Sequence, residues 1–315
     1  MKINTVALVG FGAIGCVYAK NLNKNLRENF TVIAGGSRGE RIKAAGAVVN
    51  GEKVMPKVVD PNNTDFKADL VIFTVKNYQL ENALADVKNI VADNTILLTI
   101  LNGVWARDRI KEEFPNNTVL YGLSKTDAAR TEQGVECTWE GQIQFGEADN
   151  TVMSEEVSAV KSLFDEAEID SLVCEDMLRA VWVKFMVNVS VNQLSAVTHA
   201  GYGAFLNIPY LNKAMHEVMT EVITLANAMG INISETDADA HEKTMDKSDP
   251  DGQTSMLQDI EAKRKTEVEY FSGTLIKIAK EHNAKTAILK AGSPSCGYKK
   301  IYDGTFLGNK IQGMG

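Results

Sequence analysis

The chain has 315 residues, enough for about two domains of ordinary size. Hydrophobic residues make up 44% and charged residues 23%, a balance that excludes disordered, collagen-like and disulfide-stapled chains. The net charge is −8 and no long basic run is present, so the sequence argues against nucleic acid or an anionic membrane as a partner.

The cysteines are few and widely spaced, at positions 16, 137, 174 and 296. This spacing offers neither a CxxC metal-ligand pair nor a disulfide framework, and we therefore expect no metal site. The first residues lack the apolar core and cleavage site of a signal peptide, and no apolar stretch is long enough to span a membrane. These features predict a soluble cytoplasmic protein.

The first half of the chain alternates between short apolar runs and helical patterns. Strands are expected at residues 5–9, 30–34, 70–75, 95–101 and 119–123, and helices at 13–28, 78–90 and 105–114. This alternation predicts a Rossmann-type, doubly wound α/β sheet with helices on both faces. Residues 135–147 contain two alternating runs around Glu140-Gly141, which predict an antiparallel hairpin.

The strand signals stop after about residue 170. Helical patterns then run over 175–200, 209–230 and 255–282, which predicts an all-α C-terminal domain. The sequence is therefore expected to contain three parts: a Rossmann domain over 1–170, a helical domain over 171–282, and an atypical glycine-rich tail over 283–315.

A GxGxxG segment follows the first predicted strand and opens a helix. It consists of Gly10, Phe11, Gly12, Ala13, Ile14 and Gly15. In this context Gly10 permits a tight turn, Gly12 lets a pyrophosphate approach the backbone, and Gly15 allows close packing of helix and strand. The N–H groups at the helix N-terminus attract phosphate. The segment predicts a dinucleotide site, and a glycine turn without a ligand is the alternative.

The end of the second predicted strand indicates which dinucleotide binds. Its sequence, TVIAGGS, lacks the acidic residue that usually binds the ribose of NAD, and Arg38 follows it. Small residues and an arginine suit a 2′-phosphate, so we expect NADPH as the cofactor. NAD is the alternative, in which Arg38 and Arg41 are ordinary solvated charges on the next helix.

Three polar residues recur at helical spacing within the apolar stretch WVKFMVNVSVNQ: Lys184, Asn188 and Asn192. At spacings of four residues they share one helix face. Polar side chains within such an apolar stretch need hydrogen-bond partners or a water-filled cavity. These three residues are therefore candidate site residues. The alternative is a polar stripe on the solvent side of the helix.

Four other polar residues are candidate site residues, and each also has an ordinary structural explanation. Ser255 with Gln258 fits a capping box, and Glu267 fits an ordinary surface carboxylate. Lys76 and Asn102 each follow a predicted strand, at the edge where open parallel sheets bind ligands. Ordinary loop chemistry is the alternative for these two residues.

Five segments resemble those of the ketopantoate reductase (2-dehydropantoate 2-reductase) family. They are GFGAIG at 10–15, VKNYQ at 75–79, LNGV at 101–104, VWVKFMVNVSVNQLSAV at 181–197 and TSMLQDIEAKRKTEVEYFSG at 254–273. The resemblance covers residues 3–282. It implies that NADPH reduces the ketone of 2-dehydropantoate to give pantoate, a precursor of pantothenate and coenzyme A.

The same resemblance implies roles for the candidates. Lys184 corresponds to the proton donor to the ketone oxygen, and Glu267 to the second catalytic residue, which orients substrate and lysine. Substrate binding is assigned to Asn188, Asn192, Ser255 and Asn102, and cofactor binding to the glycine loop, Arg38, Lys76 and Asn102. An ammonium beside the ketone would stabilise the alkoxide that hydride addition creates. We expect Lys184 and Glu267 to face each other where the two domains meet in a cleft.

Two positions depart from the family pattern. Gly252 stands where the family often has an asparagine, three residues before the serine, and Tyr202 stands where another member may carry a substrate-contacting asparagine. The substrate is a small-molecule 2-oxo acid, and one other than 2-dehydropantoate stays open. A non-catalytic, NADP-binding regulatory protein is a further alternative. A homodimer is left open beside a monomer.

The tail resembles a different family. Residues 284–315 look like a fragment of the thiouracil-desulfurase-like proteins, in which the cysteine of SPSCG is one of three iron–sulfur ligands. Only Cys296 is present here, and one thiolate cannot hold such a cluster. We therefore expect a remnant without its own activity that either packs away from the site or is poorly ordered.

Overall fold

The computed structural model describes residues 1–282 and two short strands beyond them, at 300–302 and 310–312. The expectations for the tail, including those for Cys296, otherwise lie outside the described residues. The chain divides into two compact units, the first comprising Met1–Val181 and the second beginning at Trp182. The expected boundary after residue 170 lies just before a strand, Ser171–Val173, that joins the sheet of the first unit.

The first unit is built around a parallel sheet. In chain order its strands are β1 (Val6–Val9), β2 (Phe30–Ile33), β3 (Ala47–Val49), β4 (Glu52–Val54), β5 (Lys57–Val59), β6 (Leu70–Phe73), β7 (Ile96–Thr99), β8 (Val119–Lys125), β9 (Ala129–Arg130), β10 (Val135–Glu136), β11 (Gln142–Gly146) and β12 (Ser171–Val173). Within the described residues the main sheet has the order β12-β11-β8-β7-β6-β1-β2-β5, and its neighbours are parallel except β8 and β11.

Helices cover both faces of this sheet. They are α1 (Ala13–Leu26), α2 (Gly36–Ala45), α3 (Leu80–Val87), α4 (Ala106–Glu113) and α5 (Glu155–Glu166). In β1, Val6 and Leu8 join the core under α1 and α5, whereas Ala7 and Val9 join the core under α3 and α4. Strands buried on both faces must be apolar throughout, which is why these runs could be recognised in the sequence. The predicted Rossmann-type architecture is confirmed.

The hairpin expected over 135–147 is wrong. Strand β10 pairs with β9 and β3 in a separate small sheet, of order β4-β3-β10-β9, whereas β11 pairs with β8 and β12 in the main sheet. Between them, Gly141 adopts a φ of +93° and passes so close to Lys125 that a Cβ would lie 2.3 Å from its carbonyl oxygen. Alternation correctly indicated two strands, but it does not specify their partners.

The second unit is helical. It contains the end of α6 (Met177–Val187), followed by α7 (Gln193–Thr198), α8 (Tyr202–Asn207), α9 (Pro209–Ala228), α10 (Glu235–Met245), α11 (Ser255–Glu261) and α12 (Thr274–Glu281). The π-helical segment Asn188–Asn192 joins α6 to α7, and a second one, Glu269–Gly273, leads into α12. Residues 182–282 contain no strand, which confirms the predicted all-α domain. Among the described helices, none combines the length and apolarity that crossing a bilayer requires.

The long helix expected over 255–282 is interrupted. After α11 ends, Lys263 adopts a φ of +54°, and Arg264 folds back onto Asp259 through its backbone N–H (2.7 Å to the carbonyl oxygen) and its Nε (2.9 Å to Oδ1). Neither glycine nor proline marks this break, so the helical pattern appears continuous in the sequence. The break places Glu267 at the start of the last helical run.

Candidate active site

Two glycines of the GxGxxG loop are required by packing. Gly10 has a φ of +103°, and a Cβ there would lie 2.7 Å from the carbonyl carbon of Thr74. The Thr74 Oγ1 donates a 2.7 Å hydrogen bond to the Gly10 carbonyl. A Cβ on Gly15 would lie only 2.3 Å from that same carbonyl oxygen. At Gly12, in contrast, no described atom lies within 4 Å of the Cβ position, so this side of the loop is open to a ligand.

The helix that follows the loop presents an uncapped N-terminus. Its N-cap residue is Gly12, no side chain among the described residues caps it, and the first turn carries no acidic residue. Ala13 and Ile14 are half-buried against the core, and Phe11 is buried within it. Free N–H groups and the helix dipole suit a phosphate here. The geometry therefore fits the diphosphate of a dinucleotide.

A group of arginines lies beside this loop. The Arg130 Nη2 donates a 2.7 Å hydrogen bond to the carbonyl of Phe11. Desolvation lowers the pKa of Arg38, the carboxylate of Asp86 opposes this, and the guanidinium groups of Arg41 and Arg130 lower it further. We call Arg38, Arg41 and Arg130 the arginine cluster. Sequence reasoning missed Arg130, because it comes from β9, far from the glycine loop in the sequence and without a recognisable motif.

The carboxylate of Asp60 also lies near the end of β2. Asp60 follows β5, the parallel neighbour of β2, and its Oδ2 lies 3.2 Å from where a Cβ on Gly35 would be. Its Oδ1 accepts hydrogen bonds from the backbone and side-chain nitrogens of Asn62, both at 2.9 Å. An acidic residue of an NAD site is expected at the end of β2, whereas Asp60 follows β5, so the sequence pattern did not reveal it. This edge of the sheet thus offers both guanidinium groups and a carboxylate.

Lys76 and Asn102 belong to neighbouring loops that one buried amide ties together. The Asn77 side chain is 1% exposed, and its Nδ2 donates a 2.9 Å hydrogen bond to the carbonyl of Asn102. Its Oδ1 accepts a 2.7 Å hydrogen bond from the indole of Trp105. These loops follow β6 and β7, which pair in parallel. Asn77 thus connects the two loops, and sequence reasoning missed it, although it lies next to Lys76 in the VKNYQ segment.

In the second unit, Asn188 and Asn192 are in direct contact. Both are 7% exposed, and the Asn192 Nδ2 donates a 3.3 Å hydrogen bond to the Asn188 Oδ1. The Asn188 Nδ2 is buried and has no hydrogen-bond partner among the described residues. Lys184, half-buried, lies one helical turn earlier, at the end of α6. The polar residues are therefore largely buried, and they do not form a stripe on the solvent side.

The two π-helical segments of this unit pack against each other. The Ser272 Oγ in the second segment donates a 2.5 Å hydrogen bond to the Oε1 of Gln193, which begins α7 directly after the first segment. Lys184 precedes the first segment, and Glu267, 4% exposed, precedes the second. Single π-helical turns occur frequently at functional sites. Sequence reasoning missed Ser272 and Gln193, since hydroxyl and amide side chains at these spacings carry no distinctive pattern.

The capping role considered for Ser255 belongs to its neighbour. The Thr254 Oγ1 accepts a 3.2 Å hydrogen bond from the N–H of Leu257 and caps α11, while Ser255 is exposed at the first position of that helix. Helix α11 packs against α7 and against the segment Asn188–Asn192. The Ser255 hydroxyl is thus not needed to start the helix.

A third group of potential ligand atoms lies outside these positions. Nitrogen and carboxylate oxygen atoms of His216, Asp239 and Glu242 lie within 4.8 Å of one another on α9 and α10. The His216 Nε2 is 2.9 Å from Glu242 Oε2, and Glu242 Oε1 accepts a 2.9 Å hydrogen bond from Asn212. These hydrogen bonds between helices account for the proximity.

The predicted site residues therefore fall into two groups, one in each unit. The first unit brings the glycine loop together with Arg38, and Lys76 together with Asn102. The second unit joins Asn188 to Asn192 directly and packs the elements that carry Ser255 and Glu267 around them.

Two family models match the chain. Residues 6–150 match ketopantoate reductase PanE/ApbA, and residues 176–291 match the ketopantoate reductase PanE/ApbA C-terminal domain. The second match extends past residue 282, where the resemblance was expected to end. Together the matches span most of the chain.

Two relatives from other organisms are named 2-dehydropantoate 2-reductase, the enzyme of this family. The 2-dehydropantoate 2-reductase of Pyrococcus horikoshii is 29% identical over 287 residues, which cover 90% of this chain and 93% of that protein. The 2-dehydropantoate 2-reductase of Halobacterium salinarum is 28% identical over 236 residues, which cover 75% of this chain and 77% of that protein.

Solved structures share the fold. The 2-dehydropantoate 2-reductase of Methylococcus capsulatus has a TM-score of 0.77 at 24% identity, covering 89% of this chain and 91% of that one. D-mandelate dehydrogenase, in a ternary structure with NADH and anilino(oxo)acetate, has a TM-score of 0.79 at 21% identity, covering 93% and 94%. A dimeric ketopantoate reductase from Staphylococcus aureus has a TM-score of 0.73 at 22% identity, covering 90% and 93%. With both family models matched in chain order, this chain belongs to the ketopantoate reductase family of oxidoreductases.

Proposed function

We propose that this protein reduces 2-dehydropantoate to pantoate with NADPH, and so serves the synthesis of pantothenate and coenzyme A. The observation that carries this proposal is the buried Nδ2 of Asn188, which no described residue hydrogen-bonds. An unpaired buried donor costs about 1–3 kcal/mol, which a ligand can recover by accepting from it. The carboxylate and ketone oxygens of a 2-oxo acid are such acceptors.

The residue types around Asn188 suit ketone reduction. When bound, NADPH supplies the hydride. Lys184 then holds an ammonium group that stabilises the developing alkoxide and transfers a proton to it, which completes the alcohol. The buried carboxylate of Glu267 orients the lysine and the substrate. Asn188, Asn192 and Ser255 hold the substrate carboxylate and hydroxyl groups.

The first unit supports a nicotinamide dinucleotide, and its charges favour the phosphorylated form. The open side of Gly12 and the uncapped start of α1 suit the diphosphate. The arginine cluster suits a 2′-phosphate, because one guanidinium group can bind two phosphate oxygens at once. Asp60 is the feature that favours NADH, because a carboxylate accepts from the ribose hydroxyls.

Oxidation of NADPH by a panel of 2-oxo acids tests the proposal. We expect the highest kcat/KM with 2-dehydropantoate. Preference for phenylglyoxylate would point instead to an aromatic 2-oxo acid as the substrate. Cofactor binding without turnover of any 2-oxo acid would overturn the proposal and favour a regulatory protein. Light scattering on the same sample tests whether the chain forms the homodimer that we propose by analogy with the dimeric relative.

A variant of Asn188 directly tests whether its buried Nδ2 binds the substrate. Asn188→Ala should raise the KM for 2-dehydropantoate at least about tenfold and leave the NADPH Kd unchanged. Without ligand, its free energy of unfolding should change by less than about 1 kcal/mol, because the lost bond to Asn192 is offset by removal of an unpaired donor. Asn82→Ala, at an exposed position on α3, is the control for a general effect of losing an amide.

A further inference from the structure

Helices α9 and α10 of the second unit bring an imidazole and two carboxylates together. His216, Asp239 and Glu242 each contribute one potential ligand atom, and these atoms lie within 4.8 Å of one another. Nitrogen and oxygen atoms that share one zinc ion at bond lengths of about 2.0–2.2 Å lie roughly 3.4 Å apart in a tetrahedral site. A small movement of the side chains therefore brings all three atoms onto a single ion.

Hydrogen bonds hold two members of this cluster and leave the third without a partner. The His216 Nε2 lies 2.9 Å from Glu242 Oε2, which accounts for the proximity of those two residues. Within the part of the chain that the structure describes, no hydrogen bond or ion pair holds the exposed carboxylate of Asp239. Two carboxylates thus lie close together, and their like charges repel. A cation bound between them would remove this repulsion.

The surroundings of the cluster also favour a cation. Helix α10 has the sequence ETDADAHEKTM, in which four acidic residues stand against one lysine, and such an excess of negative charge attracts cations. From α9, the Asn212 Nδ2 donates a 2.9 Å hydrogen bond to Glu242 Oε1. Ligating carboxylates in metal sites are commonly oriented by an outer hydrogen bond of this kind. Glu242 is therefore held in place before a metal binds.

We propose that His216, Asp239 and Glu242 form a zinc site that links α9 to α10, with water completing the coordination. His216 binds the ion through Nε2 as a neutral imidazole, whose N–H then lies on Nδ1. The imidazole selects zinc over magnesium and calcium, which take oxygen ligands. The cysteine spacing from which we expected no metal site does not bear on this cluster, because its ligands come from two helices that the fold brings together.

Zinc binding to the full-length protein, treated with EDTA and then dialysed, tests this proposal independently of the proposed function. Isothermal titration with zinc chloride should show one ion bound per chain. Saturating zinc should raise the melting temperature by at least about 3 °C, because the ion binds the folded chain and its three ligands are apart in the unfolded one. Magnesium chloride at the same concentration should have neither effect.

Two variants each remove one ligand. Asp239→Asn should weaken zinc binding at least about tenfold and leave the melting temperature of the metal-free protein unchanged, because this carboxylate has no partner within the described residues. His216→Gln should also weaken zinc binding at least about tenfold, while its amide can still donate a hydrogen bond to Glu242. Asp246→Asn and His199→Gln, at exposed positions outside the cluster, are the matched controls and should bind zinc like the unsubstituted protein.

The same variants distinguish this site from zinc held by a thiol. Cys16, Cys137 and Cys174 are free, and zinc bound at any of them would bind equally well to Asp239→Asn and His216→Gln. One zinc ion per chain, weakened by both substitutions and by neither control, supports the site. Absence of saturable zinc binding, an affinity that either variant retains, or an equal affinity for magnesium would overturn it.

Discussion

Ser272 donates a 2.5 Å hydrogen bond to Gln193, and this contact joins the second π-helical segment of the second unit to the start of α7, directly after the first segment. Lys184 and Glu267 lie just before these segments, each in the sequence that leads into one of them. Residues separated by about 80 positions in the chain are thus held in one packed arrangement. The bond therefore links the elements of both candidate catalytic residues.

Ser272→Ala should lower the free energy of unfolding by about 1 kcal/mol, because Ser272 is 8% exposed and its loss leaves the side-chain acceptor of the half-buried Gln193 unpaired. We also expect a lower kcat, with the Kd for NADPH unchanged. Urea unfolding and steady-state kinetics measure the two effects. Ser162→Ala removes a hydroxyl that bonds Ser158 on the exposed face of α5 and should change neither quantity.

Lys184→Ala should lower kcat by about 10²-fold or more, the range for loss of a positioned proton donor. The Kd for NADPH should remain within about twofold, because the lysine belongs to the second unit and the glycine loop to the first. Lys213→Ala, at a lysine whose side chain is 73% exposed, removes the same charge and should be neutral. A kcat near that of the unsubstituted protein in Lys184→Ala would contradict the proton-donor role.

The arginine cluster and Asp60 should have opposite effects on cofactor choice. Arg38→Ala should raise the Kd for NADPH at least about tenfold and leave that for NADH nearly unchanged, because only NADPH carries the 2′-phosphate. Lys43→Ala removes a charge from the same helix at an exposed position and is the matched control. Equal losses for the two cofactors in Arg38→Ala would contradict the specificity argument.

Asp60→Asn should favour NADPH further. Removing this carboxylate, whose Oδ2 lies beside Gly35, relieves its repulsion of a phosphate while keeping an acceptor for the Asn62 nitrogens. We expect the NADPH Kd to fall and the NADH Kd to rise. Isothermal titration with both cofactors measures the change, and a rise in the NADPH Kd would indicate that Asp60 instead holds the ribose.

The sheet was predictable from sequence because β1, β6 and β7 are buried on both faces and read as uninterrupted apolar runs. The pairing of β10 and β11 was not predictable, since alternation specifies a buried face and leaves the partner open. The break at Lys263 was missed for a related reason. A positive φ on a lysine is uncommon, and here it accompanies the local turn in which Arg264 bonds back to Asp259, which no glycine marks in the sequence.

The candidate site shows the same division. The glycine loop was recognisable because a side chain at Gly10 or Gly15 would clash with nearby backbone atoms, so that only glycine fits there. Arg130, Asn77 and Ser272 were not recognisable, because each acts on a group far away in the chain. Their positions depend on the fold, whereas a sequence motif contains only near neighbours.

The free energy of unfolding should decrease as the pH falls from about 6.5 to about 4, and we attribute this decrease to His241. Burial lowers the pKa of His241 from 6.5 to about 4. The unfolded chain therefore binds a proton below pH 6.5 that the folded chain does not accept until about pH 4. The free energy of unfolding consequently decreases as the pH falls through this range, by up to about 3 kcal/mol.

Urea unfolding at several pH values, with the unsubstituted protein and His241→Leu, isolates this contribution. The difference between the two proteins should change with pH between 6.5 and 4 and be constant above that range. His199→Gln, at an exposed position, should follow the unsubstituted protein. A pH-independent difference for His241→Leu would show that the imidazole does not carry this dependence.

Gly12→Ala and Gly15→Ala should separate ligand binding from folding within one loop. No described atom lies within 4 Å of a Cβ on Gly12, and its φ of −84° suits alanine, so the free energy of unfolding should be nearly unchanged. Its NADPH Kd should rise at least about tenfold, because the methyl group would occupy the approach of the diphosphate. Gly15→Ala places a methyl group 2.3 Å from the Gly10 carbonyl oxygen and should destabilise the apoprotein by about 1–3 kcal/mol or more. Urea unfolding without cofactor and fluorescence titration with NADPH measure both effects, and an unchanged Kd in Gly12→Ala would contradict the dinucleotide assignment of this loop.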